Sequence, residues 1–385
     1  MKPLSIVVGG YIVGYPLGGM TWHHLNYLAG LVELGHRVTF LEDGAYLSPF
    51  DPVTGLSGDP TYGIRYLQES LASAGLDIPF HYRFGTISAG LSIPEMDSAV
   101  AHADLFIAVS GITPIDWYPI PKRSVAIDTD PVFTQLRMND DSVLLNYYKS
   151  FSTVATFGRL IGTPACPLPT HCLNWIPTNQ PISLTHWPDT VPASRNFTTL
   201  GKWEHAADRH LEFNGKKYRS SKGVEWMKVR DLPRRVSWPM EMAMAGMPVP
   251  TRESFEHARW KIVDPAHASA TCAGYQQFIQ NSAGEFTVAK EIYAGLPSGW
   301  FSDRSAAFLA SGRPVVTQAS GFDQWLPTGA GLFSFTTCDE AVAALQTIAG
   351  DYASHARAAR AIAQEYFDSS TVLTALIDQA MSNPR

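Results

Sequence analysis

Residues 284–335, GEFTVAKEIYAGLPSGWFSDRSAAFLASGRPVVTQASGFDQWLPTGAGLFSF, decide the reading of this chain. Residues 285–289 and 314–318 are short β-favouring runs. Between them, 302–311 is rich in Ala, Leu and Phe, and Gly312 follows as a stop signal. The stretch reads as strand, loop, helix, strand and a second loop. The loop Ser298-Gly299-Trp300-Phe301-Ser302 leads straight into the helix N-terminus. The first N–H groups of a helix lack intrahelical partners, and its dipole adds partial positive charge, so such a junction suits an anion such as phosphate. Arg304, in the first turn, works against the dipole unless an anion is present. The plain alternative is an ordinary surface loop.

Working outward, the chain has 385 residues, 45% hydrophobic and 17% charged, with net charge −6. That length suggests two or three domains. No Lys/Arg-rich run appears, which argues against nucleic acid as a partner. No apolar stretch approaches the ~20 residues that span a bilayer. The start, MKPLSIVVGG, enters a strand without a signal-peptide pattern, and four cysteines make no disulfide framework. A cytoplasmic protein with reduced thiols is expected. Ten Trp and 27 Pro favour long ordered loops, and the aromatic residues suit stacking on a base or sugar ring.

Residues 4–8 form an apolar run typical of a buried parallel strand. Gly9, Gly10, Gly14, Gly18 and Gly19 follow, then a helix with Thr21 as expected N-cap and Leu25, Leu28, Leu31 and Val32 at helical spacing. Gly35 stops it, and 38–41 is the next strand, ending in Glu42-Asp43. The acid suits a dinucleotide fold, but the glycine spacing does not fit Gly-x-Gly-x-x-Gly. His23 and His24, in the first helical turn, face the cleft expected at the carboxyl ends of the strands. Either can act as a general base or bind a sugar hydroxyl; the alternative is a buried histidine with a backbone partner. Trp22 in the same turn is read as lining the acceptor side or packing.

Further strands are expected at 79–84, 105–109 and 124–127, and a helix at 62–74. The last of these strands ends in Asp128-Thr129-Asp130-Pro131. Asp-x-Asp can bind metal and diphosphate, but here orienting an acceptor, holding a histidine or forming a turn fits better. Cys166, His171 and Cys172 lack zinc-site spacing. From 173 to 195, Pro177, Pro181, Pro188 and Pro192 mark an interdomain connection. A second sheet starts at 197–200, followed by Lys202 and, beyond an insertion with an Asn214-Gly215 turn, Lys222. A strand at 260–263 and helices at 266–280, 339–348, 352–366 and 370–381 complete the pattern. The expected domains are 1–178, with a terminal helix near 367–385 returning to it, and 179–366.

The Gly299-Trp300-Phe301-Ser302 loop, Asp323-Gln324 after the next strand and Ala310–Val316 resemble the donor half of GT-B glycosyltransferases, with Phe301 where an Asn is usual. Gly18-Gly19, the histidine pair and Leu34-Gly35-His36-Arg37-Val38 look like the acceptor half. The region from Asp128 to Phe335 is similar to a group of uncharacterised bacterial glycosyltransferase-like proteins. The resemblance implies an α/β fold of two Rossmann-like domains facing a cleft. It implies transfer of a sugar from a nucleoside diphosphate to a small-molecule acceptor, of natural-product type, with no metal or other cofactor. Lys202 and Lys222 would grip the diphosphate, helped by Lys290, Ser302 and Arg304. Gly299 and Trp300 would shape the loop, and Asp323 and Gln324 would touch the sugar. Two glutamates of family-four-like retaining enzymes fall at Gly299 and Ala307 and are absent; Asp303 is the nearest carboxylate. Motifs of both retaining and inverting enzymes are present. An epimerase on the same fold, a nicotinamide-dependent oxidoreductase and a catalytically silent binding protein are the alternatives.

Overall fold

Leu105–Val109 is buried along its whole length, as an apolar run covered on both faces must be. It lies near the middle of an eight-stranded sheet. A computed structural model describes residues 2–45, 47–51, 55–203 and 210–382. The spatial order in this first sheet is Trp175–Pro177, Thr153–Thr156, Ser124–Asp128, Leu105–Val109, Ser5–Gly9, Arg37–Asp43, Phe80–Phe84 and Ile87–Gly90. All neighbours are parallel except the final pair. The second sheet is wholly parallel, in the order Lys261–Val263, Met240–Ala245, Phe197–Lys202, Gly284–Thr287, Val315–Gln318 and Leu332–Phe335. Two open sheets, the first parallel but for its last pair and the second wholly parallel, each carry helices, and such folds bind ligands at the carboxyl ends of their strands.

The halves are joined by apolar packing. One continuous buried cluster contains Leu25 and Phe157 of the first half with Phe301 and Phe308 of the second. The connection after Pro177 runs beside the chain's return: Ile182 N–H donates to Phe367 O at 2.7 Å, and Ser369 N–H to Ile182 O at 3.0 Å. The Ser369–Ser382 helix then lies on the Gly18–Glu33 helix. Gly30 makes that approach: a Cβ there would sit 2.6 Å from the Ser369 Cβ. Among the described residues no helix is long and apolar enough to cross a membrane.

The expected elements appear with shifted edges, and three readings change. The first helix starts at Gly18 after Leu17, so Thr21 lies inside it rather than at its cap. The helix expected over 266–280 is two, Pro265–Ser269 and Cys272–Asn281. Thr271 between them is extended and accepts from Gly274 N–H at 3.0 Å, starting a new helix where apolar spacing alone suggests continuity. Trp175–Pro177, within the segment read as connection, is an edge strand. The insertion between Lys202 and Lys222 carries the hairpin His210–Phe213/Lys216–Arg219, with Asn214 and Gly215 both left-handed at φ 51° and 75°.

Candidate active site

The Asp303–Ala310 helix follows Ser302, whose side chain makes no capping bond, and ends before Gly312 at φ 70°. Gly299 has φ 81°, and a Cβ there would be 2.9 Å from the Leu160 side chain and 3.1 Å from its amide nitrogen. Glycine is needed both for the left-handed turn and for the approach of the first half. Leu160 N–H donates to Ser298 O at 2.9 Å, so the loop is held from across the cleft. Trp300 stacks on Tyr293 with ring centroids 4.4 Å apart.

A recess opens at the carboxyl ends of Gly284–Thr287 and Val315–Gln318. Lys222, Thr287, Trp300, Ser302, Arg304 and Gln318 line it. Lys222 stands just before the Gly223–Lys228 helix, and its ammonium has no hydrogen bond or ion pair among the described residues. Burial, then the nearby Arg304 charge, push its pKa well down, while Glu285 opposes them. Arg304 is not free. Its Nε is 2.5 Å from Glu285 Oε1, and its terminal nitrogens donate to Leu200 O at 2.6 Å and Thr287 Oγ1 at 2.9 Å. Glu285 is fully buried, so the expected anion that would justify Arg304 in the first turn is an internal carboxylate. Lys202 is exposed at its strand end, and Asp323 and Gln324, also exposed, lie in a short 3-10 turn outside the recess lining.

The structure separates the two histidines. His24 Nε2 accepts from Tyr11 N–H at 3.2 Å, and its Nδ1 donates to Met20 O at 2.9 Å. With both nitrogens committed to backbone, and burial pushing its pKa to about 3, His24 is corrected from candidate base to structural residue. His23 has no such backbone partners. Its Nδ1 lies 3.6 Å from Asp303 Oδ2 and its Nε2 3.5 Å from Ser110 Oγ. Burial lowers its pKa to about 4, so the ring is neutral. Trp22 is a packing residue: its indole N–H donates to Cys272 O at 2.9 Å and its ring lies edge-on to Trp187. Gly18 serves the same contact, since a Cβ there would be 2.4 Å from Thr271 O; at Gly19 it would be 3.0 Å from the Tyr275 ring.

Asp128 is also structural. Its carboxylate accepts from Thr134 Oγ1 at 2.6 Å, Gln135 Nε2 at 2.9 Å and Thr156 Oγ1 at 2.9 Å. Burial still raises its pKa to about 6 against those bonds. Asp130 instead reaches across the cleft to Lys290 Nζ at 3.2 Å and accepts from the Tyr293 hydroxyl. Glu42 turns inward: its carboxylate accepts from Ile12, Val13 and Gly14 N–H at 2.6, 2.8 and 2.7 Å. It fills the donor set of the glycine-rich loop, which leaves no nest there for a dinucleotide phosphate.

Three residues of this region went unmarked in the sequence. Ser110 is left-handed at φ 66° just after a buried strand; a Ser-Gly pair there was a signal for such a turn. Tyr293 carries no motif, and Glu285, which is buried, reads in the sequence only as the start of a β-favouring run and not as a site residue.

Compared by sequence, the chain matches no family profile and no curated protein. Compared by shape, it is similar to AviGT4, a glycosyltransferase involved in avilamycin A biosynthesis: TM-score 0.55, 14% identity, 99% of this chain and 98% of that one. HepE of Anabaena, in complex with UDP-glucose, gives 0.56 and 14% over 98% and 99%. An α-glucosyltransferase in complex with UDP and a mismatched DNA gives 0.58 and 11% over 97% and 98%. Likeness over the full length of both chains, with two facing parallel α/β halves, defines the fold: it is the GT-B fold of glycosyltransferases.

Proposed function

We propose that this chain is a glycosyltransferase that moves a sugar from a nucleoside-diphosphate sugar to a small-molecule acceptor. The observation that carries it is the Lys222 ammonium. It is a desolvated cation without a partner, set in a recess that the N-terminal end of the Asp303–Ala310 helix also lines. A diphosphate supplies the missing charge and meets the positive end of that helix's dipole. Such neutralisation is worth most as the glycosidic bond breaks and charge builds on the departing phosphate. Ser302 donates its hydroxyl to the phosphate, Trp300 and Gly299 shape the loop, and Lys290 adds a second cation when it leaves Asp130. The solved structures of HepE and of the α-glucosyltransferase hold UDP or UDP-glucose in this fold, which supports the same donor class here.

On this reading residues 1–178, with the terminal helix, hold the acceptor, and 179–366 hold the donor. The protein works in the cytoplasm. No divalent metal is needed, since cationic side chains and a helix N-terminus meet the diphosphate while Asp128 and Asp130 are committed elsewhere. His23 takes the acceptor proton if the reaction inverts; the departing phosphate does so if it retains.

A thermal-shift and calorimetry panel with UDP, TDP, GDP, ADP and NAD, with and without divalent metal, tests the reading. Metal-independent stabilisation by one diphosphate, lost in Lys222→Ala, supports it. Stabilisation by NAD alone refutes it, and silence toward every ligand favours a binding protein without catalysis. Turnover of the sugar donor without any acceptor would indicate an epimerase.

A further inference from the structure

Asp303 opens the helix whose N-terminal end lines the donor recess. A carboxylate there competes with a bound anion for the same helix end. The carboxylate accepts from its own helix N-terminus and, at Oδ1, from Ser302 Oγ at 3.4 Å. Asp303 Oδ2 is turned toward His23 Nδ1, 3.6 Å away on the opposite half. On the other side of the imidazole, Thr129 Oγ1 donates to Ser110 Oγ at 2.9 Å. The Ser110 hydroxyl lies between the Tyr11 hydroxyl, to which it also bonds, and His23 Nε2, 3.5 Å away. The tautomer that suits both neighbours has its proton on Nδ1, facing the carboxylate, and a bare Nε2 facing the hydroxyl. His24 supplies the contrast: its tautomer is set by two backbone groups of its own half. Nothing in the first half does this for His23 Nδ1 among the described residues.

We propose that Asp303 is a positioning residue for His23: a carboxylate carried by the donor half fixes the Nδ1–H tautomer of an imidazole carried by the acceptor half, so that Nε2 is presented to a substrate hydroxyl only when the two halves are closed. This rests on the glycosyl-transfer reading for its substrate, a polyhydroxylated sugar or acceptor whose hydroxyl replaces Ser110 at Nε2. Both contacts to His23 are longer than a good hydrogen bond by about 0.5 Å, a gap that tightening around ligand closes. Asp303 thus couples donor-half closure to the state of a ring on the far wall of the cleft. It does not act as a sugar or ribose ligand.

The test uses the full chain with 15N-labelled histidine and NMR of the ring nitrogens, with and without UDP, His23→Gln identifying the resonances. Wild type is expected to show protonated Nδ1 and bare Nε2 at His23. Asp303→Asn is expected to mix the two tautomers, and Asp303→Glu to restore the wild-type pattern in part. UDP affinity of Asp303→Asn stays within about threefold of wild type, while kcat falls about 100-fold with the donor KM unchanged. An unchanged His23 tautomer in Asp303→Asn overturns the inference. So does a loss of UDP affinity as large as that of Lys222→Ala, which would make Asp303 a donor ligand. If wild type transfers no sugar, the functional reading fails, and the tautomer measurement still decides this inference by itself.

Discussion

Asp130 of the first half and Lys290 of the second stand 3.2 Å apart across the cleft, and the Tyr293 hydroxyl donates to the same carboxylate oxygen. Lys290 also lies 4.5 Å from the centre of the Phe133 ring. The proposed donor cation is therefore held by an acid of the opposite half. Asp130→Asn should release it. An exposed pair of this kind is worth about 0.2–1 kcal/mol, so diphosphate affinity is expected to rise by up to about fivefold at low salt, with the gain vanishing at high salt. Calorimetry at the two ionic strengths reads it; a loss of affinity would mean that Asp130 orders the site rather than competes for Lys290.

Lys222 separates binding from stability. Lys222→Met removes a partly buried, unpartnered cation, so the free protein should melt roughly 1–3 °C higher. The same variant should lose about 10–100-fold in diphosphate affinity, as expected for a lost charge-assisted contact. Because the folded pKa is depressed, the folded chain binds fewer protons than the unfolded one at alkaline pH, and stability from this group rises as pH increases toward the ordinary lysine value. Anion binding reverses the shift, so diphosphate should bind with proton uptake at alkaline pH. Calorimetry in buffers of different ionisation enthalpy measures that uptake.

Arg304 and Glu285 form a buried unit with Leu200 O and Thr287. Arg304→Ala leaves an uncompensated carboxylate in the core and should cost about 3–5 kcal/mol in urea unfolding. Arg304→Met with Glu285→Met should recover most of it. If Arg304→Ala folds as well as wild type and loses only ligand binding, the arginine is a donor ligand after all.

Two buried carboxylates set an acid-side dependence. Asp128 is raised to about 6 and Glu42 to about 7, each mainly by burial. Their folded pKa values lie above the unfolded ones, so the native state binds more protons between them. Stability from these groups is complete below about pH 4 and is lost as pH rises through 6 and 7, by up to about 3 kcal/mol each. Asp128→Asn should flatten the first part of that slope in a series of melting curves. A slope identical to wild type would show that Asp128 does not carry it.

The fold was legible because its evidence is local. Apolar strand runs, Gly35 and Gly312 stops and the Asn214-Gly215 turn each act through their own backbone. The loop that leads into the Asp303–Ala310 helix was legible for the same reason. The site was only partly so. His23 and His24 are equivalent in sequence, and only the three-dimensional positions of Tyr11 N–H and Met20 O tell them apart. Arg304 reads as a free cation until Glu285, 19 residues earlier, arrives beneath it on an adjacent strand. Asp128 and Asp130, two residues apart, point to a closed internal network and to the opposite half respectively. Each distinction depends on a partner distant in sequence, which pattern and propensity do not register.

The chain passes between its halves twice, once after Pro177 and again at Phe367–Ser369, and the two passages are hydrogen-bonded side by side through Ile182. A single tether permits rotation about three axes. Two tethers pinned together leave chiefly one, along the line through Ile182 and Asp368. A hinge so built would confine any rotation of one half against the other to an arc about that line.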